Sequence, residues 1–463
     1  MHPHAGAVLT RKQATFFFLF AALLAFAVLT YKYVLPMYMV KLAAFGVVAS
    51  VMGLLIFSYP KQALYVAVFY IYAGLRYYTP SFPLAHPIVV LIAAATLYRH
   101  FRGEEVRLKD SLYLWSSALF TLLAIQSMFV SYDHMGSLRV FSVVLKVLVM
   151  VYLVNQLLNT PKEYERLAMV ILAGVIATVI LGLVNIRMGW VRDETLITGL
   201  LSQGRFAGAH VNPNMGALYI LAGLPLAVYA IRRAGRMATR IALVLIAVGL
   251  VVAVIMTFSR QALFPLLVVL IAVLVREGRS KWVFLVVLAA VLIGILLTPS
   301  YYWHRLRTIT HMIQGVSEDW SFFLRLQAHI TAWNLFVENP LTGVGLSNFP
   351  VRSASEVIAR IPTHDAYLDV LVEVGILGFA AYMAVLFSGI RGFITAMRTR
   401  WDSEHRWMRD LSFYFLISFL SSLFGAFFQS AAYYYLLWIP VAGGVLARRL
   451  ALEAGQNTKI SET

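Results

Sequence analysis

Apolar runs recur from one end of the chain to the other, parted by short polar breaks rich in arginine, glycine and proline. A helix needs about 20 mostly apolar residues to cross a bilayer, and the runs approach that length. Their spacing predicts about fourteen spans. The expected cores are 14–30, 39–57, 62–78, 85–98, 112–130, 137–156, 167–186, 215–231, 241–258, 261–275, 282–298, 367–390, 411–428 and 434–447. The fold class is all-α, a polytopic integral membrane protein of about 12–14 transmembrane helices. The first run follows Arg11 and Lys12 without a small-residue cleavage site, so it reads as a span rather than a leader.

Composition agrees with the pattern. The 463 residues are 61% hydrophobic and 13% charged, about half the charged share of a soluble domain. Mean hydropathy is +0.79. One membrane domain covers 1–463, with no soluble block long enough to be a second. Cysteine is absent, which excludes disulfide, iron–sulfur and thiolate–zinc chemistry.

The net charge of +17 suggests an anionic partner, and its distribution indicates which. The basic stretches "YRHFRGEEVRLK", "IRRAGRMATR", "REGRSK" and "ARR" fall on one side of the membrane if the N-terminus is inside. They suit anionic membrane lipid, and no nucleic acid is needed to explain them. This layout exposes two larger outer segments, 187–214 and 299–366. They and one tight turn carry Arg187, Arg192, Arg205, Arg260, Arg305, Arg307, Arg325, Arg352 and Arg360.

Arginine offers a planar, permanently charged fork that fits phosphate. A cluster on the outer side suits a lipid-linked phosphate or diphosphate. Taken singly, Arg305, Arg307, Arg352 and Arg360 read as ordinary loop residues. Arg260 differs, because "MTFSRQALF" sets it between two apolar runs with almost no loop. A lone arginine there must snorkel or meet an anion. Arg325 sits in "WSFFLRLQAHITAWNLF", whose spacing predicts an amphipathic helix on the membrane surface. Trp320, Phe323, Leu324, Ala328, Thr331 and Leu335 would form its apolar face. Arg325 is then either a solvated residue or one aimed at a site.

The stretch "THDAYLDVLVEVGILG" at 363–378 opens a span with His364, three carboxylates and two glycines. Asp365, Asp369 and Glu373 recur every four residues and share one helix face. Carboxylates descending into a span face protein or water. Gly375 and Gly378 permit close approach by another helix or a lipid chain. His364 can take a proton near neutral pH, although a lone histidine at a bilayer surface also fits a structural role. No histidine pair has zinc-ligand spacing, so no metal or other cofactor is expected.

Here the residues resemble a known family, the O-antigen ligase and polymerase superfamily of bacterial envelope glycosyltransferases. Its signature is histidine, a small polar residue, nine residues, glycine, two residues and a second glycine. It reads here as His364, Asp365, "AYLDVLVEV", Gly375, "IL", Gly378. The family more often has Asn, Ser or Gln where this chain has Asp365. "GRFAGAHVNPNMGAL", "TFSRQALF" and "RLQAHITAWNLFVENPLTGVGLSNF" resemble three further elements, in the same order. The resemblance covers roughly 200–380.

It implies a GT-C-like membrane enzyme of the bacterial inner membrane, with one large periplasmic loop bearing part of the active site. A glycan would move, without a metal, from undecaprenyl diphosphate to an acceptor hydroxyl on lipid A–core or on a growing glycan. Arg260 and Arg325 would bind the diphosphate and His364 would activate or orient the acceptor. Arg205 and Asn214 would line the donor site, with Asp365 and Asp369 beside the histidine. Tyr301, Tyr302, Trp303, Trp320 and Trp333 could stack on sugar rings or form an aromatic belt. Ligation, polymerisation and transfer to protein hydroxyls share these motifs. A transporter would instead show inverted repeats and broken helices, neither of which is evident in the sequence.

Overall fold

The computed structural model describes residues 50–78, 85–188, 205–210, 212–278, 285, 288, 320–353 and 362–461. The expected span at 14–30, nearly all of that at 282–298, and the outer residues 299–319 lie outside the described residues. Arg192, Arg305, Arg307 and Arg360 lie there too, as do Tyr301, Tyr302 and Trp303.

Among the described residues the chain is helical and has no strand. The helices are α1 (Ser50–Ser58), α2 (Pro60–Tyr72), α3 (Ala85–Phe101), α4 (Ser111–Met128), α5 (His134–Leu157), α6 (Pro161–Met188) and α7 (Pro213–Arg233). They continue as α8 (Met237–Met256), α9 (Arg260–Glu277), α10 (Trp320–Glu338), α11 (Phe349–Arg352), α12 (Ala366–Arg398), α13 (Trp407–Ala426) and α14 (Tyr435–Ser461). Seven are long and apolar enough to cross a membrane. The chain is thus an all-helical polytopic membrane protein.

The predicted spans agree closely with α4–α9 and α12–α14, although α9 and α13 are not among the seven helices long and apolar enough to cross. The N-terminal part differs. The spans expected at 39–57 and 62–78 end and begin as α1 and α2, which meet at a bend of 113°. Helix α2 has 13 residues, about 20 Å of helix, too short to cross alone. Hydrophobicity marked both runs but could not register the turn at Tyr59-Pro60, where proline opens the second helix.

Helix α7 is the central post, with 94% of its apolar stretch buried. Asn212 caps it by accepting the Asn214 N–H at 2.8 Å, and Pro213 follows in the first turn. Helices α6, α8, α9 and α13 pack around it. A second group forms about α12, which packs on α4, α13 and α14. The outer faces remain apolar. Leu245, Phe264 and Val275 are 67%, 60% and 83% exposed, as a surface facing lipid tails requires.

Arginines at one end of the bundle are tied to acids. Arg391 and Arg448 both bind Asp110, at 2.8 and 2.9 Å. Arg276 reaches Asp410 at 2.5 Å, and Arg232 meets Glu277. The basic excess at that end therefore serves internal pairing as well as any lipid contact.

Helix α12 is broken. At Gly375 the backbone turns to φ 78° and ψ 178°. The carbonyls of Val372 and Glu373 and the N–H of Ile376 leave the helical ladder. The loop after α10 meets them: Val344 N–H donates to Val372 O at 2.9 Å, Gly345 N–H to Glu373 O at 3.1 Å, and Ile376 N–H to Pro340 O at 2.8 Å. Buried backbone groups need such partners, and a bilayer offers none. Sequence reasoning gave Gly375 the task of admitting another helix or a lipid chain. It instead admits the backbone of Pro340 and Leu341, whose carbonyl oxygens lie 3.0 and 2.4 Å from where a Cβ would stand.

The same loop is anchored at its far end by Asn348, which is fully buried. Its Oδ1 accepts from Tyr132 N–H and Asp133 N–H, each at 2.9 Å. Its Nδ2 donates to Ser137 Oγ and Leu346 O, each at 2.9 Å, and to Ser131 Oγ. The "NPLTGVGLSNF" stretch is thus fixed between the break in α12 and the corner joining α4 to α5.

Candidate active site

Two groups of side chains gather at the N-terminal end of α12. The first centres on His364. Asp365 caps α12, its Oδ1 accepting from Tyr367 N–H at 2.9 Å and Leu368 N–H at 3.1 Å. The cap fixes the start of the helix one residue after His364. His364 itself sits at φ 59°, left-handed backbone that side chains seldom adopt. Its N–H donates to Ser430 Oγ at 3.1 Å, and Gln429 hydrogen-bonds its ring. The α13–α14 turn therefore holds both the backbone and the imidazole.

Helix α10 closes this group from another side. Ala328, Ala332 and Leu335 pack with Val344, Phe349 and Val372. That packing brings Arg325 beside His364, close enough to act on its charge. One turn on, His329 Nε2 lies 2.9 Å from Thr363 O. Burial comes first, then the positive charge of Arg325, in holding the His364 imidazole down at about 4, below its ordinary 6.5. The ring is therefore neutral near pH 7. Burial also raises Asp365 above the usual carboxylate range, against the two N–H groups it caps.

Below His364 the carboxylates turn inward. Thr363 Oγ1 donates to Asp369 Oδ1 at 2.6 Å, and Ser430 hydrogen-bonds Asp369 as well. Glu373 is 6% exposed and takes the N–H groups of Ser347 and Phe349. All three acids thus meet protein groups.

The second group lies where α8 turns into α9. Phe258 takes φ 47°, Ser259 stands at the N-cap position without a side-chain capping bond, and Arg260 opens α9. Arg260 thus stands at the positive end of a helix dipole, which favours anions. Arg205 Nε donates to Thr257 O at 2.9 Å and its Nη2 to Asn214 Oδ1 at 3.1 Å. Ser259 Oγ donates to the same Asn214 oxygen at 2.8 Å. One hydrogen-bonded set therefore ties Arg205, Asn214 and the Thr257–Arg260 turn together.

The α13–α14 turn joins the two groups. Phe428, next to Gln429, stacks on Phe264 of α9 at 6.1 Å. Phe264 is one turn along from Arg260. Phe427 packs on Tyr367 at 4.4 Å, one turn into α12. Through these contacts the turn touches α9 one turn past Arg260 and α12 one turn past His364. Among the described residues, no group of three or more His, Asp or Glu is placed to hold a metal ion.

Sequence reasoning passed over His329, Thr363, Gln429 and Ser430. A signal existed for His329, which is four residues from Arg325 and so on its helix face. Gln429-Ser430 was visible only as a polar break between two apolar runs. The amphipathic reading of α10 was half complete. Ala328, Thr331 and Leu335 are buried as expected, but Phe323 is 43% exposed. The helix carries a second apolar stripe, Leu326, Ile330, Trp333 and Val337, which is exposed. It suits a helix lying at a bilayer surface.

Residues 242–383 match the family model described as O-Antigen ligase. The match includes Arg260, Arg325, His364 and the broken part of α12. It leaves out Arg205, Asn214 and the α13–α14 turn. No curated protein matches the chain.

Proposed function

We propose, from the match of residues 242–383 to the family model described as O-Antigen ligase, that this chain is a glycosyltransferase acting at the membrane surface. It takes a glycan from a polyprenyl diphosphate, undecaprenyl diphosphate in bacteria, and attaches it to an acceptor hydroxyl. The observation that carries this reading is the pairing of Arg325 with a neutral His364 across the α13–α14 turn from Arg260.

The arginines suit the diphosphate. Arg260, at a helix N-terminus, and Arg325 offer forks and positive charge to a leaving group whose charge grows as the glycosidic bond breaks. His364 suits the acceptor. Its ring nitrogen not held by Gln429 takes the hydroxyl proton while the oxygen attacks the anomeric carbon. The bond from that carbon to the diphosphate oxygen breaks, and the polyprenyl diphosphate leaves with the electron pair.

The depressed basicity of His364 fits this sequence of events. In the free protein Arg325 opposes protonation of the imidazole. A diphosphate seated on Arg325 offsets that charge and restores basicity when an acceptor needs it. Donor binding thus precedes activation of the acceptor. The active site faces the periplasm in this reading, with lipid A–core as acceptor. Polymerisation of a growing glycan uses the same chemistry.

Purified protein with a labelled lipid-linked glycan and an acceptor tests the proposal. His364→Ala should abolish transfer yet still bind donor. Arg260→Ala and Arg325→Ala should lose both binding and transfer, with lysine rescuing only in part. Full transfer by His364→Ala, or by both arginine variants, removes the reading. Identifying the glycan that accumulates when the protein is deleted separates ligase from polymerase.

A further inference from the structure

At the end of the bundle opposite His364 lies a cavity of about 490 Å³, within the range of small-molecule sites. The segment between α3 and α4 supplies Glu105, Arg107, Lys109 and Asp110 to its lining. Helix α5 supplies Asn155, and α14 supplies Arg448, Arg449 and Glu453. None of these takes part in the site described above.

The polar groups fall into two kinds. Asp110 is committed, since it caps α4 at Tyr113 N–H, 3.0 Å away, and binds Arg391 and Arg448. Arg449 pairs with Glu453 at 3.5 Å and donates to Leu158 O, while its Nε is buried with no hydrogen-bond partner. Arg107 and Lys109 are exposed, and neither pairs with a carboxylate among the described residues. These are donors and positive charge for an anion.

Asn155 is the other kind. It is fully buried, with its amide nitrogen donated to Val151 O at 2.9 Å and Ala442 O at 3.2 Å. Its Oδ1 is buried with no partner. A buried acceptor of this kind is costly unless a donor meets it. Glu105 and Glu453 add further acceptors to the lining.

We propose that this cavity binds the phosphoglycerol headgroup of an anionic membrane lipid. Four cations (Arg107, Lys109, Arg448, Arg449) against three acids (Glu105, Asp110, Glu453) leave one net positive charge in the lining. That matches a phosphodiester, which carries one negative charge. The phosphate meets Arg107, Lys109 and Arg449, and a glycerol hydroxyl donates to Asn155 Oδ1. Basic pockets between membrane helices hold such headgroups elsewhere. A lipid held here would clasp the α3–α4 connection against α14.

The test uses the full chain in detergent, with equal amounts of phosphatidylglycerol and phosphatidylcholine added, and native mass spectrometry as readout. The wild type should retain one phosphatidylglycerol at least about tenfold better than phosphatidylcholine, a difference of about 1.4 kcal/mol. The Arg107→Gln/Lys109→Gln double variant, altered only at exposed positions, should lose most of that preference. Asn155→Leu should still prefer anionic lipid but no longer favour phosphatidylglycerol over phosphatidic acid. Should Asn155→Leu fail to fold, the double variant decides alone. Equal retention of the two lipids by the wild type, or undiminished preference in the double variant, overturns the proposal. Soluble glycerol 3-phosphate forms the last arm. If it raises thermal stability as much as phosphatidylglycerol does, the ligand is a free phosphate ester and the lipid assignment falls.

Discussion

Gly375→Ala probes the join between fold and candidate site. The glycine holds φ 78° and ψ 178°, a region that only glycine occupies freely, and alanine there costs about 1–3 kcal/mol. The new Cβ would stand 2.4 Å from Leu341 O and 3.0 Å from Pro340 O. Both are backbone atoms, so no side-chain rotation relieves the clash. The loop must move, which breaks its three backbone hydrogen bonds to Val372, Glu373 and Ile376. At about 1 kcal/mol each these bring the local penalty to about 4–6 kcal/mol.

A penalty of about 4 kcal/mol corresponds to about a thousandfold change in an opening equilibrium. Hydrogen exchange of residues 340–348 should speed up by about that factor, while α7 and α14 keep their protection. Transfer should fall with it, because Val344 and Phe349 of this segment seat α10 and hence Arg325. Gly249→Ala is the control. Its Cβ would have no heavy atom within 4 Å, so exchange at 340–348 should stay as in the wild type. Wild-type exchange at 340–348 in Gly375→Ala would refute the reasoning.

Three further outcomes follow from the His364 corner. The free-protein pH profile of kcat/KM should be flat near neutrality and fall as pH drops through about 4, where the imidazole takes a proton. Arg325→Gln removes a neighbouring positive charge, so the imidazolium becomes easier to form and the acid limb should move to higher pH; an unmoved limb separates the two residues. Asp365→Asn should leave thermal stability in detergent nearly unchanged, because asparagine caps as well as aspartate, whereas Asp365→Ala should cost about 1 kcal/mol.

The helices α4–α9 and α12–α14 were legible because each falls on a long apolar run. The Arg205, Asn214 and Arg260 grouping was partly legible. Arg260 stood out by having no loop around it, but its link to Asn214 runs through Ser259 and required the folded turn. Asp365 was read as a site residue by its place beside His364. Its carboxylate caps α12, a role that Asn and Ser side chains also perform. The break at Gly375 was not legible. The motif gave the glycine, but its φ depends on a loop some thirty residues earlier that supplies the missing hydrogen bonds. Gln429 was hidden for a similar reason, since only packing of the α13–α14 turn brings it to the imidazole.

The break also fixes how deep the candidate site lies. From Ile376 to Arg398 the helix runs about 34 Å, enough to cross the hydrocarbon core alone. The segment before Gly375 is therefore not needed for crossing, and Asp369 and Glu373 need not sit among lipid tails. This arrangement lets a diphosphate headgroup reach Arg325 while its polyprenyl tail stays in the bilayer. The chain has no cysteine, so single cysteines can carry nitroxide labels. Leu377 and Phe387 are each 54% exposed and accept a label without disturbing the core. Phe387 stands near the middle of the Ile376–Arg398 segment and should read as deepest by oxygen accessibility. Leu377, just past the break, should read close to the headgroups. If Leu377 proves as deep as Phe387, the break lies near the midplane, the acids before it are immersed, and the placement of transfer at the membrane surface fails.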